Sequence, residues 1–149
     1  MKKFFLVMAF AALFSELSFS QVDGKALGLR LGGSAFSGAE ISYQHPLSGS
    51  NRLELGLGTS AWGLGLSGIY QWVWDLSELS DGFNWYAGVG GLMGLQDEFF
   101  GLAVAGQVGI EYNFNIPLQL SLDYRPAIYF IPKFDDYYDG ISLSVRYKF

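Results

Sequence analysis

The last ten residues constrain the fold of this chain more than any other segment. Apolar and polar residues alternate strictly there: Ile141, Leu143, Val145, Tyr147 and Phe149 alternate with Ser142, Ser144, Arg146 and Lys148. Such alternation is typical of a β-strand with one apolar and one polar face. In water, a terminal strand with a large exposed apolar face would promote aggregation. In a transmembrane β-barrel that face contacts lipid, and the polar face lines the interior.

The N-terminal segment has the features of a secretory signal peptide. Lys2 and Lys3 precede an unbroken apolar stretch over residues 4–14, and Ser18-Phe19-Ser20 supplies the small residues of a cleavage site. The apolar stretch is much shorter than the ~20 residues that a membrane helix needs. We therefore predict a signal peptide over residues 1–20, followed by one domain over residues 21–149.

Composition excludes several classes of function. The chain has no cysteine, so neither disulfides nor thiolate metal sites are expected. Its net charge of −5 argues against a nucleic-acid partner. The one histidine, His45, precedes Pro46 at a predicted turn, which is a poor setting for nucleophilic catalysis. We expect no enzyme activity and no cofactor or metal, and we interpret the acidic outer loop over residues 133–139 as a solvated surface.

The same alternation recurs along the chain. The predicted strands are residues 25–33, 38–45, 52–58, 62–74, 83–94, 101–114, 118–129 and 140–149. Turn-forming residues separate several of them, at 46–51, 75–82, 115–117 and 132–139. Eight is an even number, as single-chain bacterial barrels require. The sequence therefore predicts an all-β fold, an eight-stranded antiparallel up-and-down transmembrane β-barrel.

The predicted barrel has two different ends. If both termini are periplasmic, the turns at 46–51, 75–82 and 115–117 are periplasmic, and the outer loops lie near 34–37, 59–61, 95–100 and 131–139. Outward-facing aromatic residues then collect at the periplasmic strand ends: Tyr43, Trp72, Trp74, Phe83, Trp85, Tyr112, Phe114, Tyr147 and Phe149. This clustering predicts an aromatic girdle at the membrane interface.

The inward faces carry a balanced set of charges. The cations are Arg30, Arg125, Arg146 and Lys148, and the anions are Glu40, Glu54, Glu111 and Asp123. Arg52 is expected to lie outside the interior. An eight-stranded barrel is narrow enough for side chains to fill it, so we predict an ionic network that plugs the interior.

Hairpin geometry suggests partners within this network. A short first loop places Arg30 opposite Glu40, and a short turn places Gln44 opposite Glu54. A loop centred between residues 135 and 136 would place Asp123 opposite Lys148 and Arg125 opposite Arg146. Because like charges repel, we expect the two arginines to share acids such as Asp123 and Glu111.

Other interpretations remain open. A soluble lipocalin-like barrel would turn the polar faces outward, but those faces hold much Gly and Ser and few charges. The balanced interior favours a structural or surface-interaction role over an ion-selective pore. A narrow gated channel for ions or small solutes is the alternative, because many inward residues are small. A lipid A modifying enzyme is the third possibility.

The chain resembles the small outer-membrane β-barrel family of OmpA/OmpX type. The resemblance is carried by the predicted second and third strands, by residues 122–126 and by the terminal Tyr147-Lys148-Phe149. The pattern of Gly140, Leu143, Val145, Tyr147 and Phe149 is similar to the signal read by the outer-membrane assembly machinery. The resemblance implies residence in the bacterial outer membrane among lipid and lipopolysaccharide. It also implies help from periplasmic chaperones and that machinery, and we expect a monomer. The turn at 75–82 is longer than is usual in the family.

Overall fold

The chain folds into strands that form one sheet. The computed structural model describes residues 24–32, 38–60, 63–96, 99–131 and 140–149, so the predicted signal peptide, Gly33, Trp62 and the acidic loop over 133–139 lie outside the described residues. The strands are β1 (Ala26–Gly32), β2 (Ala39–Pro46), β3 (Asn51–Ser60), β4 (Gly63–Asp75), β5 (Phe83–Gln96), β6 (Phe99–Asn113), β7 (Leu118–Tyr124), β8 (Ala127–Ile131) and β9 (Ile141–Lys148). Among the described residues, no helix has the length and apolarity needed to cross a membrane.

The sheet closes on itself. Strands β1 to β6 each pair in antiparallel fashion with the next strand along the chain, β8 continues the pairing of β7 against β6, and β7 pairs with β9. The barrel closes where β9 pairs with β1, from Ala26 opposite Lys148 to Gly32 opposite Ser142. Two further backbone hydrogen bonds extend this seam by one residue pair: the Lys25 N–H donates to the Phe149 carbonyl at 3.0 Å, and the Phe149 N–H donates to the Lys25 carbonyl at 2.9 Å. The predicted antiparallel barrel is therefore confirmed, and β7 with β8 counts as its seventh strand.

The seventh strand is interrupted, whereas the sequence predicted one strand over residues 118–129. The break falls at Arg125 and Pro126, and proline has no N–H for the sheet. The register against β6 is the same on both sides, with Tyr124 opposite Val108 and Ala127 opposite Ala105. The Gly106 N–H donates to the Pro126 carbonyl at 2.9 Å. The break therefore disturbs local pairing without shifting the strand.

The strands are strongly tilted. A path that steps from each residue to its cross-strand partner, once around the barrel, returns to β1 about ten residues from its starting point. A closed barrel with this stagger has strands tilted by roughly 35–45° from the barrel axis. On β6 the outward face runs from Phe100 to Tyr112. At ~3.3 Å per residue and this tilt, it spans about 30 Å along the barrel axis.

The two faces of the sheet have opposite character. The outward side chains of Leu29, Leu55 and Val108 are each about half exposed, with 56%, 44% and 47% of their surface accessible. Their inward neighbours Arg30 and Glu54 are buried. A lipocalin-like barrel needs the reverse arrangement, so that interpretation is wrong.

The register of the β1–β9 seam predicts one cross-link. Leu29 lies opposite Val145, and Leu143 lies opposite Leu31. Directly opposed Cα atoms are about 4.5–5.5 Å apart, within the range that a disulfide bridges. We expect Leu29→Cys with Val145→Cys to form a disulfide in the folded barrel, seen as a mobility shift on a non-reducing gel. Leu29→Cys with Leu143→Cys, two residues out of register, is the control. Equal cross-linking of both pairs would contradict the seam.

Candidate functional site

The barrel interior buries a charge-balanced set of side chains. Among the described residues, the charged groups with at most 3% of their surface exposed are Arg30, Glu40, Arg52, Glu54, Glu111, Asp123, Arg125 and Arg146. We call these side chains the interior network. Four guanidinium groups balance four carboxylates, as the sequence suggested, but Arg52 takes the place expected for Lys148.

Arg30 on β1 links two distant strands. Its Nη1 lies 2.8 Å from Glu40 Oε2 on β2, so the predicted pairing of Arg30 with Glu40 is confirmed. Its Nη2 lies 2.7 Å from Asp123 Oδ1 on β7, and its Nε donates to the other Asp123 oxygen at 3.3 Å. One arginine therefore joins strands on both sides of the β1–β9 seam. The two-oxygen contact with Asp123 is the strong bidentate form of such a bond.

Glu54 is the most heavily shared carboxylate in the interior network. Arg125 Nη2 contacts it at 2.8 Å and Arg146 Nη2 at 3.1 Å. The side-chain amides of Gln44 and Gln71 donate to it at 3.0 and 3.1 Å, and Gln44 lies opposite Glu54 as predicted. Its two oxygens therefore accept hydrogen bonds from four side chains in different parts of the sheet, which uses nearly all of their lone pairs.

The expected C-terminal hairpin pairing is wrong. Asp123 lies opposite Ser142, and Gln119, not Arg125, lies opposite Arg146. The prediction assumed that the two strands extend equally far from the loop. In the structure the seventh strand continues through β8 to Ile131, whereas β9 starts only at Ile141, so the residues that face each other differ from those expected.

The two arginines of that hairpin do share an acid, as expected, but it is Glu54 rather than Asp123 or Glu111. Arg125 also contacts Glu40 at 3.2 Å.

Arg52 is the residue that sequence reasoning missed. It is 2% exposed, and its two terminal nitrogens contact the Glu111 oxygens at 3.1 and 2.6 Å across the barrel. Its Nε donates to Gln71 Oε1 at 2.6 Å, and its guanidinium lies 5.0 Å from the centre of the Tyr86 ring. Arg52 lies two residues before Glu54 on β3, so the alternation of the strand puts both side chains on the inward face, and this signal was not used in the prediction.

Lys148 is not brought into the interior network. Its side chain is half-buried near the end of β9, where it lies opposite Ala26. No described carboxylate lies within ion-pair distance of it. Arg146, two residues earlier, instead donates to Ser42, Gln119 and Ser121 at 2.9, 3.2 and 2.7 Å.

Two glycines make room for the network. A Cβ at Gly56 would collide with Glu40 Oε1 and Ser67 Oγ, which hydrogen-bond each other at 2.9 Å. A Cβ at Gly109 would lie 2.7 Å from both the Tyr86 ring and the Asp123 Cβ. The side chains of Glu40 and Tyr86 therefore occupy space that is free because Gly56 and Gly109 have no side chain.

An apolar cluster borders the network on one side. It contains Ile69, Leu92, Ala103, Ala105 and Tyr129, all buried. Ile69 and Val73 are apolar residues at inward positions of β4, and both are fully buried. The interior is therefore divided into a charged part and a smaller apolar part formed by side chains of β4, β5, β6 and β8.

The predicted girdle residues lie near the strand ends that the turns at 47–50, 76–82 and 114–117 connect, which we call the turn end. Trp74 and Trp85 stack at 4.2 Å, and Tyr112 packs edge-on against Phe83 and Phe114 at 4.9 and 4.6 Å. Further ring contacts join Tyr70 to Trp72 and Tyr147 to Phe149. Tyr43 is half-buried, and its hydroxyl contacts His45 Nδ1 at 3.2 Å. The histidine therefore belongs to this rim.

The long turn at 76–82 is ordered. Asp75 accepts hydrogen bonds from the Ser77 N–H at 2.8 Å and the Ser77 hydroxyl at 2.9 Å. Gly82 has a φ of 92°, and its carbonyl accepts from the Asn113 N–H at 2.8 Å, which fixes the turn to the end of β6. The left-handed φ and the close approach both require glycine here.

The residues of the proposed assembly signal lie on β9. Leu143, Val145, Tyr147 and Phe149 are exposed on the outward face, and Gly140 directly precedes the strand. Among the described residues, no group of three or more His, Cys, Asp or Glu side chains is placed to hold a metal ion. Comparisons with protein-family models, with curated proteins and with solved structures find no match.

The two-oxygen contact of Arg52 with Glu111 predicts measurable coupling. Removing one partner leaves a buried charge unpaired, so Arg52→Met and Glu111→Gln should each destabilise the barrel. The double mutant should recover part of the loss, with a coupling energy of about 0.5–3 kcal/mol in urea unfolding from lipid or detergent. Arg52→Met with Leu143→Ala is the control: Leu143 is exposed on the outward face of β9, outside the interior network, so this pair should be additive within ~0.5 kcal/mol. Additivity in both cycles would argue against the Arg52–Glu111 contact.

Proposed function

We propose that this chain is an integral β-barrel protein of the bacterial outer membrane, with a structural or surface-interaction role and an interior closed by its own ionic network. The observation that carries the proposal is the reversed distribution of polarity. The charged side chains of the interior network are buried, while the outward leucines, valines and isoleucines are about half exposed on every long strand. An apolar surface of this extent is stable in lipid and unstable in water.

The dimensions of the outward face support a membrane setting. The span of about 30 Å on β6 is close to the ~25 Å apolar band of outer-membrane barrels. The girdle at the turn end provides one interface. Near the opposite end, Phe100 and Phe130 point outward with 46% and 56% of their surface exposed, as aromatic residues at a second interface would.

The interior supports closure over conduction. An eight-stranded barrel leaves little more than the volume of its own side chains. Here Arg30, Arg52 and Arg125 each reach across that space to a carboxylate on another strand. Positive and negative groups cancel, whereas an ion-selective pore usually presents one sign of charge.

Two segments of the sequence support the proposed location and partners. The predicted signal peptide directs export, and an outward-facing terminal strand that ends in Phe149 is similar to the strand read by the assembly machinery. In this proposal periplasmic chaperones carry the chain, the machinery inserts it, and outer-membrane lipid and lipopolysaccharide surround it as a monomer. The resemblance to the OmpA/OmpX type belongs to the same proposal.

Arginine substitutions test the membrane face. Leu55 and Val108 point outward near the middle of the apolar band, so Leu55→Arg and Val108→Arg should each cost about 2–4 kcal/mol of folding free energy in lipid vesicles. Leu47 points outward in the turn between β2 and β3, and Leu47→Arg should cost only ~0–1 kcal/mol. The measurement is reversible unfolding by urea. A Leu55→Arg barrel as stable as Leu47→Arg would refute the lipid-facing assignment.

A narrow gated channel is the second candidate. Several inward residues on β5 and β6 are small, including Gly88, Ala103 and Ala105. Purified protein in a planar bilayer tests the choice. We expect no reproducible open state, because the interior network crosses the barrel at several strands; a stable conductance step would replace the plugged barrel with the channel.

A further inference from the structure

Arg125 differs from the other buried arginines in one hydrogen-bond donor. The Nε–H groups of the others have protein acceptors: Arg30 donates to Asp123, Arg52 to Gln71 and Arg146 to Ser42. Arg125 uses Nη1 for Glu40 and Nη2 for Glu54, but its buried Nε has no hydrogen-bond partner in the described part of the chain. Leaving a buried donor unpaired is costly, so this N–H calls for an acceptor.

A second unpaired donor lies beside it. Gln107 is 4% exposed, and its Nε2 also has no partner among the described residues. Its amide orientation is fixed through a chain of bonds. Arg52 Nε must donate to the Gln71 oxygen, so Gln71 Nε2 is the group that donates to Gln107 Oε1, at 2.6 Å. Nε2 is therefore the end of the Gln107 amide that is left unpaired.

The register places these two donors together. Val108 lies opposite Tyr124 and Ala105 opposite Ala127, so Gln107 on β6 and Arg125 at the strand break are direct cross-strand neighbours. Opposed residues have Cβ atoms about 4.5–5.5 Å apart, which lets their side-chain nitrogens share one small acceptor.

The strand on the other side of β7 adds two more unpaired polar groups. The hydroxyls of Ser142 and Ser144 on β9 are buried and have no partner among the described residues. Ser142 lies opposite Asp123, two residues before Arg125. A hydroxyl both donates and accepts, so each of these serines can bind a water molecule of its own, separate from the acceptor at Arg125.

We propose a buried water site at the Arg125–Pro126 break, where a water molecule accepts hydrogen bonds from Arg125 Nε–H and Gln107 Nε2–H. The unpaired hydroxyls of Ser142 and Ser144 hold further water on the β9 side. Internal waters typically make about three hydrogen bonds to polar groups that lack other partners. The site does not depend on the proposed function.

Charge decides between water and an anion as the acceptor. The positive charge of Arg125 is already balanced by Glu40 and Glu54, and the Asp123 carboxylate lies on the same face of the same strand. An added anion would bring an uncompensated charge into an interior that is shielded from water, which is costly. A neutral acceptor requires no counter-charge.

Nuclear magnetic resonance of the full chain in detergent micelles tests the site. The Arg125 Hε proton should show a cross-relaxation peak at the water frequency, with the sign of a long-lived bound water. The Arg52 Hε proton is the internal control, because Arg52 Nε donates to Gln71 at 2.6 Å, and it should show no such peak. The comparison needs no substitution, so a failure to fold cannot confuse it.

Three outcomes would overturn the proposal. The first is the absence of a water peak at Arg125 Hε, or a peak equal to that of Arg52. The second is its loss in Ser142→Ala, which would mean that the signal is relayed from the serine hydroxyl. The third is a saturable shift of Arg125 Hε on titration with chloride at constant ionic strength, which would assign the site to an anion. A water peak that persists in Ser142→Ala and ignores chloride supports the site.

Discussion

The fold depends on the need to pair every charge that the barrel buries. An ionised group in an apolar surrounding is too costly to stand alone, and eight of them share the space enclosed by eight strands. The solution is sharing: Glu54 accepts from Arg125 and Arg146, and Glu40 accepts from Arg30 and Arg125. Each shared carboxylate ties together strands that are not neighbours in the sheet. The network therefore acts as a set of internal cross-links.

These cross-links depend on the stagger of the strands. A shift of about ten residues around the barrel tilts every strand, so residues that meet across the interior are far apart in any flat drawing of the sheet. Arg52 near the start of β3 reaches Glu111 near the end of β6 in this way. Small residues complete the fit, because Gly56 and Gly109 leave the space that Glu40 and Tyr86 occupy. The β1–β9 seam, the stagger of the strands and the positions of the glycines are thus all needed to bring the buried charges within contact of their partners.

Features of this structure that depend on residues close together in the sequence could be predicted, and features that depend on distant residues could not. Alternation is local, and it located the strands and the outward apolar face; a tight hairpin is nearly local, so Arg30 and Glu40 were paired correctly. The C-terminal hairpin was not, because its register depends on how unequally the two strands extend. Contacts across the interior, such as Arg30 with Asp123, require the stagger of the whole barrel, which no single hairpin reveals. Arg52 was missed for a simpler reason: although it is the first residue of its predicted strand, it was assigned to the charges outside the interior.

In lipid, apolar residues gain little from turning inward, so the hydrophobic effect that fixes strand register in soluble proteins is weak. The proposed membrane barrel must obtain its register from another source. A slip of one residue on β1 would turn Arg30 out toward lipid and bring Leu29 or Leu31 in, and near the midplane an exposed arginine costs about 2–4 kcal/mol. The same slip would leave Glu40 and Asp123 without one of their partners. Because similar penalties apply on β3, β7 and β9, the buried ions specify the register that an apolar core specifies elsewhere. Their contribution lies in excluding alternative pairings more than in raising the stability of the correct one.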